Sequence, residues 1–230
     1  TFSEKFLGTN TLYLSPGNFS ENVRNAQDLT NSDVEAIAAL DCVEIAAPTV
    51  SATYTLSQSN GNTVTASVEG VIPDYLSVSN FTVAQGSYIT QEHMTEKAMV
   101  VVIGSEISES LFNNTNSNVV GETVRISGQP YKIIGVLESK GSSSLGTSQD
   151  RVVYMPITTA QNRLMTRQKN SVSQITITVK DSYSLTEAED AIEELMRSRH
   201  GIFEGNPNDF TIMNMQELMD TLNSIMGTFV

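Results

Sequence analysis

The sequence predicts an α+β fold. Both chain ends build one lobe from two strand–helix–strand units, and the middle forms an inserted, mixed α/β lobe. The expected borders are 1–85 plus 171–230 for the first lobe and 86–170 for the insert. Two strand–helix–strand patterns, one near each end, predict the first lobe. A run of hairpins and short helices between them predicts the second. Charge supports the division: the insert holds eight Lys+Arg and seven Asp+Glu, the flanks five and 19. No Lys or Arg occurs between Arg24 and Lys97. Two surfaces of different charge are expected of two lobes.

Thr11-Leu-Tyr-Leu-Ser15 reads as a short apolar strand stopped by Pro16-Gly17. After a polar stretch, Thr30-Asn-Ser-Asp33 reads as a capping box, with Asp in place of the usual Glu or Gln. Val34, Ile37 and Ala38 set one helical face, and the charged Asp41 at the next position of that face ends the helix near there. Val43 to Ala47 is the following strand. At the other end, Ile175, Ile177 and Val179 alternate with Thr176, Thr178 and Lys180, as in a half-buried strand. Ser184-Leu-Thr-Glu187 is a second capping box, opening a helix whose apolar face is Ala188, Ile192, Leu195 and Met196. Arg197, Arg199 and His200 fall in its last turn, where the helix dipole favours cations, and Gly201 supplies a left-handed stop. Asp209 to Met213 is the returning strand.

Between these units, Asn60-Gly61 flanked by alternating apolar positions predicts a hairpin within 49–71. Met99 to Ile103 is a near-continuous apolar run, as in a buried strand, and Ser105 is expected to cap a short helix through Phe112. Glu122 to Ile126, a turn at Ser127-Gly-Gln-Pro130, and Tyr131 to Leu137 read as a hairpin. Arg151 to Met155 is a strand and Thr158 to Gln168 a helix.

Met215, Leu218, Met219, Leu222, Ile225, Met226 and Phe229 follow helical spacing to the last residues. No Gly, Pro or basic last turn closes this helix, so it is expected either to continue into another layer, such as a membrane, or to dock on the core as an ordinary terminal helix. The 230 residues begin Thr1-Phe2-Ser3, without an initiator Met, and read as part of something longer or processed.

Composition excludes several classes. A net charge of −13 opposes general nucleic-acid binding, which needs basic surface. Cys42 alone makes neither an internal disulfide nor a Cys-based zinc site, and it reads as a small core residue. The longest apolar run, Ala98 to Ile103, is far short of the about 20 residues of a membrane helix. His93, in the polar stretch Gln91 to Glu96, reads as a solvated side chain, and His200 is accounted for by its place at a helix end. Gly141 to Gly146 lacks the Gly-Lys-Ser/Thr of a nucleotide loop, and no Gly-x-Ser-x-Gly elbow exists. Glu187 to Glu194 and the patch Arg163, Arg167, Lys169 read as solvated faces. No catalytic residue, cofactor site or metal site is predicted.

In order along the chain, a set of short motifs resembles one family. Leu7-Gly-Thr-Asn10, Leu12-Tyr-Leu-Ser-Pro-Gly17, Leu29-Thr with Asp33, Ala36-Ile37 and Ala46-Ala-Pro48 come first. Gly86-Ser-Tyr-Ile-Thr90, Val100-Val-Val-Ile-Gly-Ser105, Leu111-Phe112 and Val120-Gly121 follow, then Val124-Arg-Ile126 and Tyr131-Lys-Ile-Ile-Gly-Val136. Asp150 through Pro156, Arg199-His200 and Asp209-Phe210 complete the set. Together they resemble the periplasmic core domain of MacB-type ABC transporter permeases. The resemblance implies an extracytoplasmic domain set between the first two membrane helices of a permease, with a porter-like lobe made from both ends and an inserted Sabre-like lobe. It implies ATP hydrolysis on a separate cytoplasmic domain or subunit, a second permease protomer as partner, and no enzymatic role or cofactor for the domain itself. The helix from Met215 to Phe229 would be the stalk.

That reading requires an apolar span before Thr1 and another after Val230. Charge adds a narrower expectation, that the acidic lobe concentrates cationic peptides, alongside the simpler reading of acidity as solubility. The alternative from another class is a free-standing secreted or surface binding module; an enzyme ranks third.

Overall fold

In the computed structural model of the chain, the described residues are 10–18, 20–23, 25–79, 81–113, 118–141 and 148–215, with Glu217, Asp220, Ser224, Ile225 and Gly227. The chain divides into two compact units, Thr1–Pro48 with Asn170–Val230, and Thr49–Lys169.

The first unit is built on strands β1 (Thr11–Pro16), β2 (Leu29–Thr30), β10 (Ser171–Val172), β11 (Gln174–Val179) and β12 (Phe210–Asn214), plus the start of β3 (Val43–Ser57). Its helices are α1 (Asn31–Ala38) and α6 (Leu185–Arg199). The sheet order is β12-β1-β11-β3, and β1 runs antiparallel to both β11 and β12. Each strand–helix–strand unit is therefore split by a strand of the other, the ferredoxin-like arrangement. Leu12, Leu14, Ile175 and Ile177 are fully buried beneath Ile37 of α1 and Ala188, Ile192 and Met196 of α6. Both capping boxes form as the residues predict. The Thr30 side chain accepts from Asp33 N at 3.1 Å and the Ser184 side chain from Glu187 N at 3.1 Å. The small pair β2–β10 stands apart from the sheet.

The second unit holds the rest of β3 with β4 (Thr63–Val71), β5 (Val83–Gly86), β6 (Val100–Ile103), β7 (Thr123–Ile126), β8 (Gln129–Leu137) and β9 (Val152–Pro156). Its helices are α2 (Tyr75–Ser79), α3 (Gln91–Glu96), α4 (Ser105–Phe112) and α5 (Ile157–Thr159). Pairing runs β3-β4-β9-β6-β8, and β7 pairs both β8 and β3, so six strands close on themselves while β5 extends from β8. Closure removes the exposed edges that an open sheet would present. Gly70 of β4 permits close packing: a Cβ there would lie 2.6 Å from Ala160 Cβ and 2.7 Å from Val50 Cγ2. Gly104 likewise lets β6 pass Asp150, whose carbonyl oxygen would be 2.1 Å from an added Cβ.

The mixed α+β class agrees with the sequence. The border after residue 85 does not match the compact units: residues 49–85 group with the insert. The reason is non-local pairing, since β4 joins β9 in parallel from Ser67↔Val152 to Val71↔Pro156 and β3 joins β7 at Leu56↔Ile126. Local details also differ. Gly104, not Ser105, is the N-cap of α4. The 158–168 segment is a short α-turn, a π-turn at Ala160–Leu164 and a 3-10 turn at Thr166–Gln168 rather than one helix. The β7–β8 turn is only Ser127-Gly128, both with positive φ, because that geometry suits the twist of the paired strands. Asn60-Gly61 lies within a five-residue loop, where the Asn60 and Asn62 side chains donate to Leu111 O at the end of α4.

Candidate functional site

The first and last strands of the first unit, β1 and β12, lie side by side. Leu12 is registered with Asn214, and Pro16 with Phe210, in the antiparallel β1–β12 pair. Asn10 is tied in by its side-chain amide, which donates to Val179 O at 3.0 Å. Directly after β12, the described positions Met215 and Glu217 are helical. Glu217 N donates to Asn214 Oδ1 at 2.8 Å, and Asn214 N donates to Glu217 Oε2 at 3.2 Å, a complete capping box. The described positions Met215, Glu217, Asp220, Ser224, Ile225 and Gly227 are all helical. Of the seven expected stalk residues, Met215 is half-buried and Ile225 is 53% exposed. Leu218, Met219, Leu222, Met226 and Phe229 lie outside the described residues.

At the other end of the same strands sits a buried charged network. His200 caps α6 and is 8% exposed; Asp33 and Asp209 are 2% and 7% exposed. His200 Nδ1 is 2.9 Å from Asp209 Oδ1, and Nε2 is 3.1 Å from Asp33 Oδ2. When both ring nitrogens carry protons, the imidazolium donates to both carboxylates. Arg199 Nε donates to Asp33 Oδ1 at 2.7 Å, Thr30 N to Asp33 Oδ2 at 3.0 Å, and Gln27 N to Asp209 Oδ2 at 3.1 Å. Burial alone would lower the His200 pKa, but the two carboxylates outweigh it and hold the pKa above the ordinary value. Burial would raise Asp33, yet Arg199, His200 and Thr30 N–H bring it below the usual carboxylate range. The network joins the start of α1, the end of α6 and the start of β12. Both His200 ring nitrogens are engaged by carboxylates.

The sequence accounts for Asp33 as a cap and His200 as a helix-end cation, each by local rules, and misses that they meet. The only available signal was their chemical complementarity across 167 positions. His93, expected to be solvated, is half-buried and accepts from Thr90 N at 3.1 Å, taking the acidic place of a capping box. Cys42 is buried, as a small core residue. Arg163, Arg167 and Lys169 are exposed, and Arg163 Nε donates to Lys97 O at 3.0 Å. Among the described residues no helix is long and apolar enough to cross a membrane, and no three His, Cys, Asp or Glu are grouped to hold a metal ion.

The model of the MacB-like periplasmic core domain matches residues 1–195. The chain belongs to this family. The macrolide export ATP-binding/permease protein MacB of Hyphomonas neptunium is 31% identical over 225 residues, which cover 97% of this chain and 34% of that protein. The protein of the same name from Escherichia coli K12 is 32% identical over 224 residues, covering 96% and 33%. The chain thus spans about a third of these relatives' length. The crystal structure of the periplasmic region of MacB from Actinobacillus actinomycetemcomitans superposes with a TM-score of 0.78 at 27% identity, covering 94% of both chains. The extracellular domain of the noncanonic ABC-type transporter YknZ from Gram-positive bacteria shares the fold, with a TM-score of 0.72 at 19% identity, covering 89% of this chain and all of that one. As a MacB-like periplasmic core domain, the chain is an extracytoplasmic part of a membrane protein of the ABC permease type.

Proposed function

We propose that this domain couples the movement of membrane helices to substrate handling outside the cytoplasm in an ABC exporter permease. ATP is hydrolysed elsewhere, on a cytoplasmic domain or subunit, and the domain itself is not an enzyme. Two such permease protomers act together. The first unit takes the porter-like role and the second the Sabre-like role.

One observation carries this reading: the incoming and outgoing strands are hydrogen-bonded neighbours, and the outgoing one runs straight into a capped helix. A rigid element with no loop passes displacement into the sheet rather than absorbing it. Motion of membrane segments attached at these two strands would therefore move the first unit as one body. The ATP-binding/permease names of the relatives agree with a separate ATPase.

The test is a flexible Gly-Ser insertion directly after Glu217 in the full-length transporter. Coupling predicts that transport is lost while ATP hydrolysis persists. Transport at the original rate with the insertion in place would remove the proposal.

A further inference from the structure

Glu69 in β4 is registered against Tyr154 of β9. Val71, two positions on, shares its face, and on that face Val71, Val152 and Tyr154 form an apolar cluster with Ile89, Val102 and Leu137. Tyr75, Phe81 and Tyr88 meet Tyr154 edge-on, with centroids 5.6, 5.7 and 6.5 Å away. These three rings are half-buried, so the cluster reaches the surface.

Two polar groups here lack partners. No described residue donates a hydrogen bond to the Glu69 carboxylate or places a cation beside it, and burial pushes its pKa up to about 7. The Tyr88 hydroxyl is buried with no hydrogen-bond partner among the described residues. Glu69 is close enough for its charge to raise the pKa of both Tyr88 and Tyr154, adding to burial. Buried polar groups are nearly always satisfied, so the Tyr88 hydroxyl points to a missing partner, and the half-buried Glu69 carboxylate nearby favours a cationic one.

The surroundings select the cation. A hard metal ion needs about six oxygen ligands, and among the described residues no three His, Cys, Asp or Glu are grouped to hold one. Aromatic faces instead attract weakly hydrated organic ammonium groups. The rim already holds one such contact: Lys140 Nζ lies 4.0 Å over the Phe81 ring and donates to Ser79 O at 2.9 Å.

We propose that Glu69, with Tyr75, Phe81, Tyr88 and Tyr154, forms a binding site for an organic ammonium ion carried on an apolar body. Glu69 is the counter-ion and the rings are the walls. The site does not depend on the coupling role proposed above.

The test titrates the 230-residue chain with hexyltrimethylammonium, hexanol and hexanoate, followed by calorimetry and by tyrosine fluorescence, which the absence of Trp leaves clear. The cation should bind saturably at one per chain, about tenfold or more tighter than either control. Glu69→Gln should weaken it by about tenfold, and Tyr75→Ala by a similar factor, with circular dichroism verifying the fold. Lys140→Gln should tighten it, because a competing ammonium is gone. Hexanol binding as tightly as the cation, equal affinity of wild type and Glu69→Gln, or no saturable binding would each overturn the proposal.

Discussion

Asp33 in the first unit is a buried carboxylate and Glu69 in the second a half-buried one, and their pKa values shift in opposite directions. Asp33 meets His200, Arg199 and a backbone N–H, and its pKa falls. Glu69 lies near Tyr88 and Tyr154, receives no hydrogen bond from the described residues, and its pKa rises. Burial is common to both; the partner decides the sign. A paired buried carboxylate links the elements that hold it, whereas an unpaired one weakens the fold when it is charged. The first unit thus pairs its buried charges into a network, whereas the second carries the carboxylate proposed above as a counter-ion.

The largest way to break this comparison is to unpair the first unit. His200→Leu leaves Asp33 and Asp209 buried without their shared cation and should destabilise the chain by about 3–5 kcal/mol in urea unfolding. A loss no larger than that of an exposed substitution would mean that the network contributes nothing. The effect should depend on pH. The folded pKa of His200 is raised, so its contribution is complete below about 6.5 and fades as pH climbs through the folded value. The folded pKa of Asp33 is lowered, so its contribution holds above the usual carboxylate pKa and fades only in stronger acid.

Glu69→Gln should act with the opposite sign. The folded carboxyl holds its proton up to about pH 7, so the native state binds more protons than the unfolded one between its ordinary pKa and that value. Wild-type stability therefore falls across this window, and the variant, which cannot ionise, should be more stable by about 3 kcal/mol at pH 8 and nearly equal at pH 4. Matching stability curves for the two chains across pH 4–8 would erase the contrast.

The smallest effect is at the outgoing helix. Asn214→Ala removes one side of the capping box and should cost about 1 kcal/mol, read as faster amide exchange at Glu217. Unchanged exchange there would show that the helix start is held by something else.

What the sequence made legible was local. Thr30 with Asp33 and Ser184 with Glu187 announce their helices through short-range hydrogen bonds, and Ile175, Ile177 and Val179 announce a strand by alternation. The order β12-β1-β11-β3 was not legible, because no local rule says which strand splits which unit. The same gap hid the meeting of Asp33, His200 and Asp209. Glu69 escaped for a different reason. It alternates with Val68 and Gly70 as a solvent-facing residue would, and no local rule brings Tyr75, Phe81 and Tyr88 onto the cluster beside it. The border after residue 85 failed because the β4–β9 pairing spans more than 80 positions.

The central claim is that displacement in the membrane reaches this domain through the neighbouring strands β1 and β12. Spin labels at the exposed Ile225 of two protomers in the full-length transporter test it most directly, with the distance between them measured in nucleotide-free and ATP-trapped states. The account predicts a distance distribution that shifts as a whole between the two states. An identical distribution in both would contradict it.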